Sequence, residues 1–479
     1  MTQWTILCTK YTGIQKTAVH RLKAAIESYI DPATVLQTPV GVRVVSDATM
    51  PLPAGRHIFL GVGDENPYAP HQGTGKPEEY TITVPEMENG VQDITITGSD
   101  ENGLLYGVVD YIGRVLPDAL YSNTTGNPYY MHPLFTDAPM KPYHRTSSPE
   151  IASRGLWTWG HTITDYRGYI DNMVTCKLNT LVIWNNLRPA NAADVVAYAH
   201  TNGIRLLYGF AWGWSTDHGE NAIRHALSHR QDVVDEYVRD WAGTGCDGIY
   251  FQSFTETSQE TVGGMLIADA VTEYVNDIAH RLWEITPTLT IQFGLHATSV
   301  HKKLDFISRT DPRIEIIWED CGAFPFAYTP NRVGEDDYCN TQALAEQIST
   351  LRGADDRFGC VFKGLTCLNW DTFRYPAEPY LIGEASEGLK AARLAEKRPI
   401  WRYVQAYWLK NAWYAQTTIR LLCDKKNGNY TALALVEDGM FESACHFPVL
   451  LYGEMLWHPH GDTEELLHKV ALNPNAVFA

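Results

Sequence analysis

Short runs rich in β-branched and aromatic residues alternate along the chain with segments whose apolar positions recur at helical spacing. In the first part they predict strands at Trp4–Thr9, Val42–Val45, His57–Val62, Tyr80–Val84 and Asp93–Thr97, with an amphipathic helix over Ile14–Ile30. Gly98-Ser99-Asp100 caps a second helix whose apolar face carries Leu104, Leu105, Val108, Val109 and Ile112, and Pro117 ends it. This is a small N-terminal α/β domain over residues 1–117. Residues 118–150 shift to Pro, Tyr, Asn and Thr with little periodicity, the composition of a connector.

Over residues 151–479 strand and helix alternate. Strands are expected at Ser153–Thr158, Thr180–Trp184, Ile204–Phe210, Gly248–Gln252, Thr288–Gly294, Arg313–Trp318, Cys360–Gly364 and Thr431–Val436. Helices are expected at Tyr166–Lys177, Ala192–Thr201, Gln231–Trp241, Thr261–Trp283, Thr341–Leu351 and Trp401–Leu422, the fourth with Val271, Val275, Ile278 and Leu282 on one face. Repeated βα units imply a parallel sheet. Eight of them over roughly 300 residues suit a closed (β/α)8 TIM barrel, with C-terminal helices completing the chain. No phosphate-cradling glycine motif follows a strand, which argues against a nucleotide fold.

Such barrels keep their chemistry at the C-terminal ends of the strands. Here those ends carry Trp157 and Trp159, Trp184 and Asn185, Trp212 and Trp214, Glu256, His296, Trp318 with Glu319 and Asp320, Lys363 with Trp370 beyond it, and Glu437 with Asp438. Taken singly, each has a plain structural reading, since tryptophans often plug barrel ends and carboxylates often cap helices. Their recurrence at one face describes a pocket for a polyhydroxylated ligand, with apolar walls and a few aimed polar groups. Glycosidic cleavage needs one carboxyl group to protonate the leaving oxygen and a second to activate water or attack the anomeric carbon. Glu256, on the fourth strand, and Glu319 or Asp320, on the sixth, come from non-adjacent strands and can face one another. Sequence neighbours in a continuing strand point to opposite faces, so Glu319 is favoured over Asp320.

Composition narrows the partners. The 479 residues, 44% hydrophobic, can bury more than one core, and 14 Trp with 26 Tyr offer more rings than packing demands. A net charge of −18 argues against nucleic acid. No apolar run is long enough to cross a bilayer, and the opening WTILCT lacks the layout of a signal peptide, so a cytoplasmic protein is expected. The nine scattered cysteines, Cys176, Cys246 and Cys360 among them, are expected as buried free thiols. No cofactor or metal is expected, and oligomeric state is left open. His161, His218, His296 and His301 raise a metal-dependent hydrolase as a rival, against which Trp157 and Trp159 stand where such enzymes place a His-x-His.

The layout is similar to that of several glycoside hydrolases. An α/β domain ending in ITGSDENGLLYGVVDYIGRVL, then Ser153-Arg154-Gly155 and KLNTLVIWNN, resembles the family 67 α-glucuronidases and, more distantly, the family 20 and family 84 hexosaminidases. The family 67 resemblance implies Glu256, after Thr255, as general acid and Glu319 as a candidate base. The departures are that Thr257-Ser258-Gln259 replaces the glycine-rich stretch after the family 67 acid, and Phe254-Thr255-Glu256 replaces the paired acids of families 20 and 84. These readings lead to an exo-acting glycosidase on a terminal sugar, α-glucuronidase-like, with an N-acetylhexosaminidase or a non-catalytic carbohydrate-binding barrel as alternatives. A uronate would need cations, for which Arg154, Arg188, Lys363 and Arg374 are the candidates. The family 20 resemblance gives Arg154 sugar hydroxyls instead.

Overall fold

The computed structural model describes residues 3–30, 32–37, 39–117, 140–159, 163–184, 187–213, 220–253, 259–296, 303–321, 335–365, 379–436 and 441–479, with the side chains of 32–34, 159, 320 and 335–340 outside that set. The chain divides into two compact units, one built mainly from Met1–Pro149 and the other from Glu150–Ala199 and Ile204–Leu467.

The first unit is a mixed six-stranded sheet of β1 (Trp4–Cys8), β2 (Gly41–Val44), β3 (Arg56–Val62), β4 (Tyr80–Val84), β5 (Ile94–Gly98) and β6 (Tyr143–Ser147), in the order β2-β1-β3-β5-β4-β6. Asp100 caps the helix Glu101–Asp110 as expected, its side chain accepting from Gly103 N at 2.7 Å. β6 lies inside the stretch read as a connector. It is an edge strand whose first four residues alternate between half-buried and exposed, so it carries almost no apolar signal.

The second unit is a closed barrel of eight parallel strands: β7 (Ser153–Trp159), β8 (Thr180–Trp184), β9 (Arg205–Gly209), β10 (Gly248–Phe251), then, after the hairpin β11 (Thr261–Val262) and β12 (Met265–Leu266), β13 (Thr290–Leu295), β14 (Glu315–Cys321), β15 (Phe358–Phe362) and β16 (Thr431–Leu435). β16 pairs with β7, Thr431 opposite Ser153 and Leu435 opposite Trp157, and this seam closes the ring. The architecture is the expected (β/α)8 barrel with a separate N-terminal sheet.

Because side chains alternate along a strand, each barrel strand has an inner and an outer row. Trp157, Val182, Trp184, Leu207, Tyr250, Ile317, Val361, Leu433 and Leu435 form one buried inner cluster. The outer row meets the helices; Val271, Val275, Ile278 and Leu282 of the helix Ile267–Ile285 are all buried there. Large inner rings fit only because small residues face them. A Cβ on Gly209 would sit 2.6 Å from Trp184 Cε3. Gly209→Ala is therefore expected to destabilise the barrel by about 1–3 kcal/mol through overpacking, measured by urea unfolding.

Candidate active site

The inner rows of β10 and β14 place one carboxylate at the C-terminal half of the barrel. Glu319 is 1% exposed. The Tyr250 hydroxyl donates to Glu319 Oε1, and Gln252 Nε2 donates to both carboxylate oxygens, at 2.7 and 2.6 Å. Tyr250 and Gln252 share the inner row with Gly248, since alternate residues of a strand face one way. They reach Glu319 across β13 because the residue between them is Gly294, where any Cβ would overlap the Glu319 carboxylate and the Tyr250 ring. The strand-end reading of the sequence names neither Tyr250 nor Gln252, since both fall within the strand expected at Gly248–Gln252. The signal was the period-two spacing of Gly248, Tyr250 and Gln252 within GIYFQ.

Two of the expected rings join this group. Trp157 lies 5.8 Å from the Tyr250 ring, and Trp184 meets Tyr250 edge-on at 5.9 Å. Lys363, just past β15, is buried, with Nζ 5.2 Å from the Trp157 ring centre. The structure thus brings together Glu319, Trp157, Trp184 and Lys363.

Other candidates are placed elsewhere. Trp212 stacks on Phe251 at 3.7 Å, and Phe251 on Phe293 at 4.7 Å, a column in the outer row. Trp318 alternates with the inward Ile317 and Glu319 and so faces outward; its buried Nε1 has no hydrogen-bond partner among the described residues. Arg154 is corrected most clearly. It stands next to the inward Gly155 and therefore points out, at the N-terminal end of β7, where Nε donates to Lys177 O at 3.1 Å and Nη1 to Ile151 O at 2.7 Å and Ala152 O at 3.2 Å. Its guanidinium also lies over the Trp457 ring. His296 is half-buried just past β13. Glu256, Asn185, Trp214 and Trp370 lie outside the described residues, as do the side chains of Trp159 and Asp320 and three of the four histidines of the metal rival, His161, His218 and His301.

β14 runs further than expected, to Cys321, and its pairing with β15 shifts register between Trp318 and Cys321. Glu319 and Asp320 therefore sit within an irregular strand rather than after a regular one. Such bulges re-aim side chains. Among the described residues the grouping with metal-ligand geometry is Glu150, Cys423 and His460, none of which belongs to the Glu319 group. A cleft of about 470 Å³ opens beside Ile163, Thr164, Ala190, Tyr380 and Glu384, and none of the four grouped residues lines it.

No protein-family model matches the sequence, and no curated protein matches it. Among solved structures the chain is similar to CpGH84B (TM-score 0.50, 11% identity, 97% of this chain and 70% of that one). It is also similar to CpGH84D (0.45, 10%, 77% and 57%) and to a glycoside hydrolase family 20 beta-N-acetylglucosaminidase (0.39, 12%, 80% and 76%). The likeness to CpGH84B is one of fold, and none of the three carries the family 67 resemblance.

The Glu319 network has a measurable signature. Gln252→Ala leaves a buried carboxylate short of a donor and is expected to cost about 1–3 kcal/mol of unfolding free energy. A double-mutant cycle with Glu319→Ala should give a coupling of about 1 kcal/mol or more. Additive losses would mean that the contact carries nothing.

Proposed function

We propose that the protein is a glycoside hydrolase acting on a terminal sugar, with an N-acetylhexosamine favoured over a uronic acid. The observation that carries this is Glu319, a carboxylate fixed in the C-terminal half of the barrel by Tyr250 and Gln252, with Trp157 and Trp184 packed on the Tyr250 ring. Among the described residues, its three hydrogen bonds all have it accepting. That suits a base, a nucleophile or a stabiliser of positive charge at the anomeric carbon better than an acid. The proton donor in this scheme is Glu256, in the segment that follows β10. β10 and β14 are separated by β13 alone, so their backbones are roughly 10 Å apart at the usual strand spacing. The scheme requires the Glu256 and Glu319 carboxyl groups to lie within the roughly 5–9.5 Å that glycosidases use.

The choice of sugar rests on charge and on fold. Of the cations considered for a uronate, Arg154 is held by carbonyl oxygens at the far end of β7, and Arg188 lies near Tyr208, whose hydroxyl bonds Ala192 O in the outer row. Arg374 lies outside the described residues; among the described candidates Lys363 is the one that joins the Glu319 group. A single cation among the described residues there supports a neutral sugar over a carboxylated one. The fold likeness to CpGH84B across almost the whole chain points in the same direction as the family 84 resemblance in the sequence.

A second reading has its own support. The near-complete enclosure of Glu319 also suits a polar plug in a non-catalytic sugar-binding barrel. Aryl N-acetylhexosaminides and aryl glucuronides assayed side by side separate these. The expected result is turnover of the first, with Glu319→Gln lowering kcat/KM by about 10²–10⁴-fold. Turnover of glucuronides alone would overturn the choice of sugar. Sugar binding without turnover would favour the plug, whereas a Glu319→Gln protein that melts earlier yet keeps full turnover would overturn the catalytic role given to Glu319.

A further inference from the structure

Three stretches of the barrel unit that are distant in sequence converge at the strand N-terminal end. Glu150 lies just ahead of β7, and its N–H donates to Trp457 O at 3.3 Å. Cys423 and Asp424 belong to the last turn of the helix Glu387–Lys426, which ends in the left-handed residue Asn427. His460 lies between the helices Phe447–Trp457 and Thr463–Ala471. Its Nδ1 is 2.6 Å from Glu150 Oε2, and its Nε2 is 2.8 Å from Asp424 Oδ1. A Glu150 oxygen, the Cys423 sulfur and a His460 nitrogen all lie within 4.8 Å of one another.

We propose that Glu150, Cys423 and His460 form a binding site for a zinc-class divalent cation, with Asp424 orienting the imidazole. A thiolate, an imidazole and a carboxylate are a zinc or cobalt donor set, whereas calcium and magnesium take oxygen ligands. A carboxylate on the far nitrogen of a ligating histidine is the usual support in such sites, and the Asp424 bond to Nε2 supplies it. Cys423 and Asp424 also sit at the carbonyl end of a long helix, where positive charge is favoured. Glu150 and His460 are partly exposed and free to close the few tenths to an ångström that coordination distances of about 2.0–2.3 Å require.

The charge balance closes. Without the ion, His460 bridges two carboxylates, Nδ1 to Glu150 and Nε2 to Asp424. An entering dication takes the place of the Nδ1 proton and the thiol proton, which go to solvent, and the net charge of the cluster is unchanged. Three protein ligands leave a fourth position for water. The ion would join the chain entering β7 to the helix leading into β16, the two strands of the closing seam.

Cobalt(II) titrated into the metal-free full-length protein tests the site. The expected result is a single equivalent bound, with a sulfur-to-cobalt charge-transfer band in the near ultraviolet that zinc abolishes by displacement. Cys423→Ser should remove the band, and Asp424→Asn, a conservative surface change, should weaken binding by on the order of 10–100-fold. Zinc should also raise the Tm of the unaltered protein, since binding to the folded state alone stabilises it. Absence of the band in the unaltered protein would overturn the proposal and leave an ion-pair cluster only. So would a band that survives Cys423→Ser, or affinity indifferent to Asp424→Asn.

Discussion

A carboxylate taken out of water costs several kcal/mol unless its lone pairs meet donors, and that constraint organises the middle of this barrel. Glu319 meets it with a phenol and an amide from a strand that is not its neighbour. Those donors can arrive only if the intervening strand presents no side chain, which fixes glycine at 294. They can be rigid only if the Tyr250 ring is held, and Trp157 and Trp184 hold it from two sides. Removing Glu319, Tyr250 or Gln252 leaves another buried polar atom short of a partner.

The architecture was legible because it is written in repeated signals. Eight β-branched runs separated by helical periodicity announced the barrel, down to the strand Thr431–Leu435 that completes it. The Asp100 cap was legible for a different reason, since a side chain that bonds the backbone three residues on needs no tertiary partner. β6 was not legible, because an edge strand of Tyr, His, Arg, Thr and Ser has neither an apolar run nor a clear alternation. At the site, alternation separates Glu319 from Asp320, while Trp157 and Trp184 were named, like the other tryptophans, for standing at strand ends. Parity also explains the misplaced residues. Trp212 and Trp318 were grouped by nearness to a strand end, while the row each belongs to sends its ring toward the helices. Arg154 sits one residue from an inward glycine and is therefore turned away.

Two aromatic systems result, separated by the sheet itself. The inner one combines rings with Glu319 and Lys363, where charge and apolar surface share a small volume. The outer one, Trp212, Phe251 and Phe293, is a nearly parallel stack with no charge at its centre. A chain rich in tryptophan can therefore serve packing and ligand chemistry with the same residue type, and only the register tells them apart.

The pairing of β16 with β7 joins the first barrel strand to the last, with all the others between them in sequence. During synthesis β7 emerges before the other seven barrel strands and has no partner on that side until β16, the last of them, has followed. For that interval Leu156 and Trp157 stand on an open edge with unpaired backbone groups, the kind of surface that pairs with other chains. Closing a loop of this length also carries an entropy cost that no local contact offsets in advance. The seam between β16 and β7 is thus the last barrel pairing that the order of the strands along the chain allows.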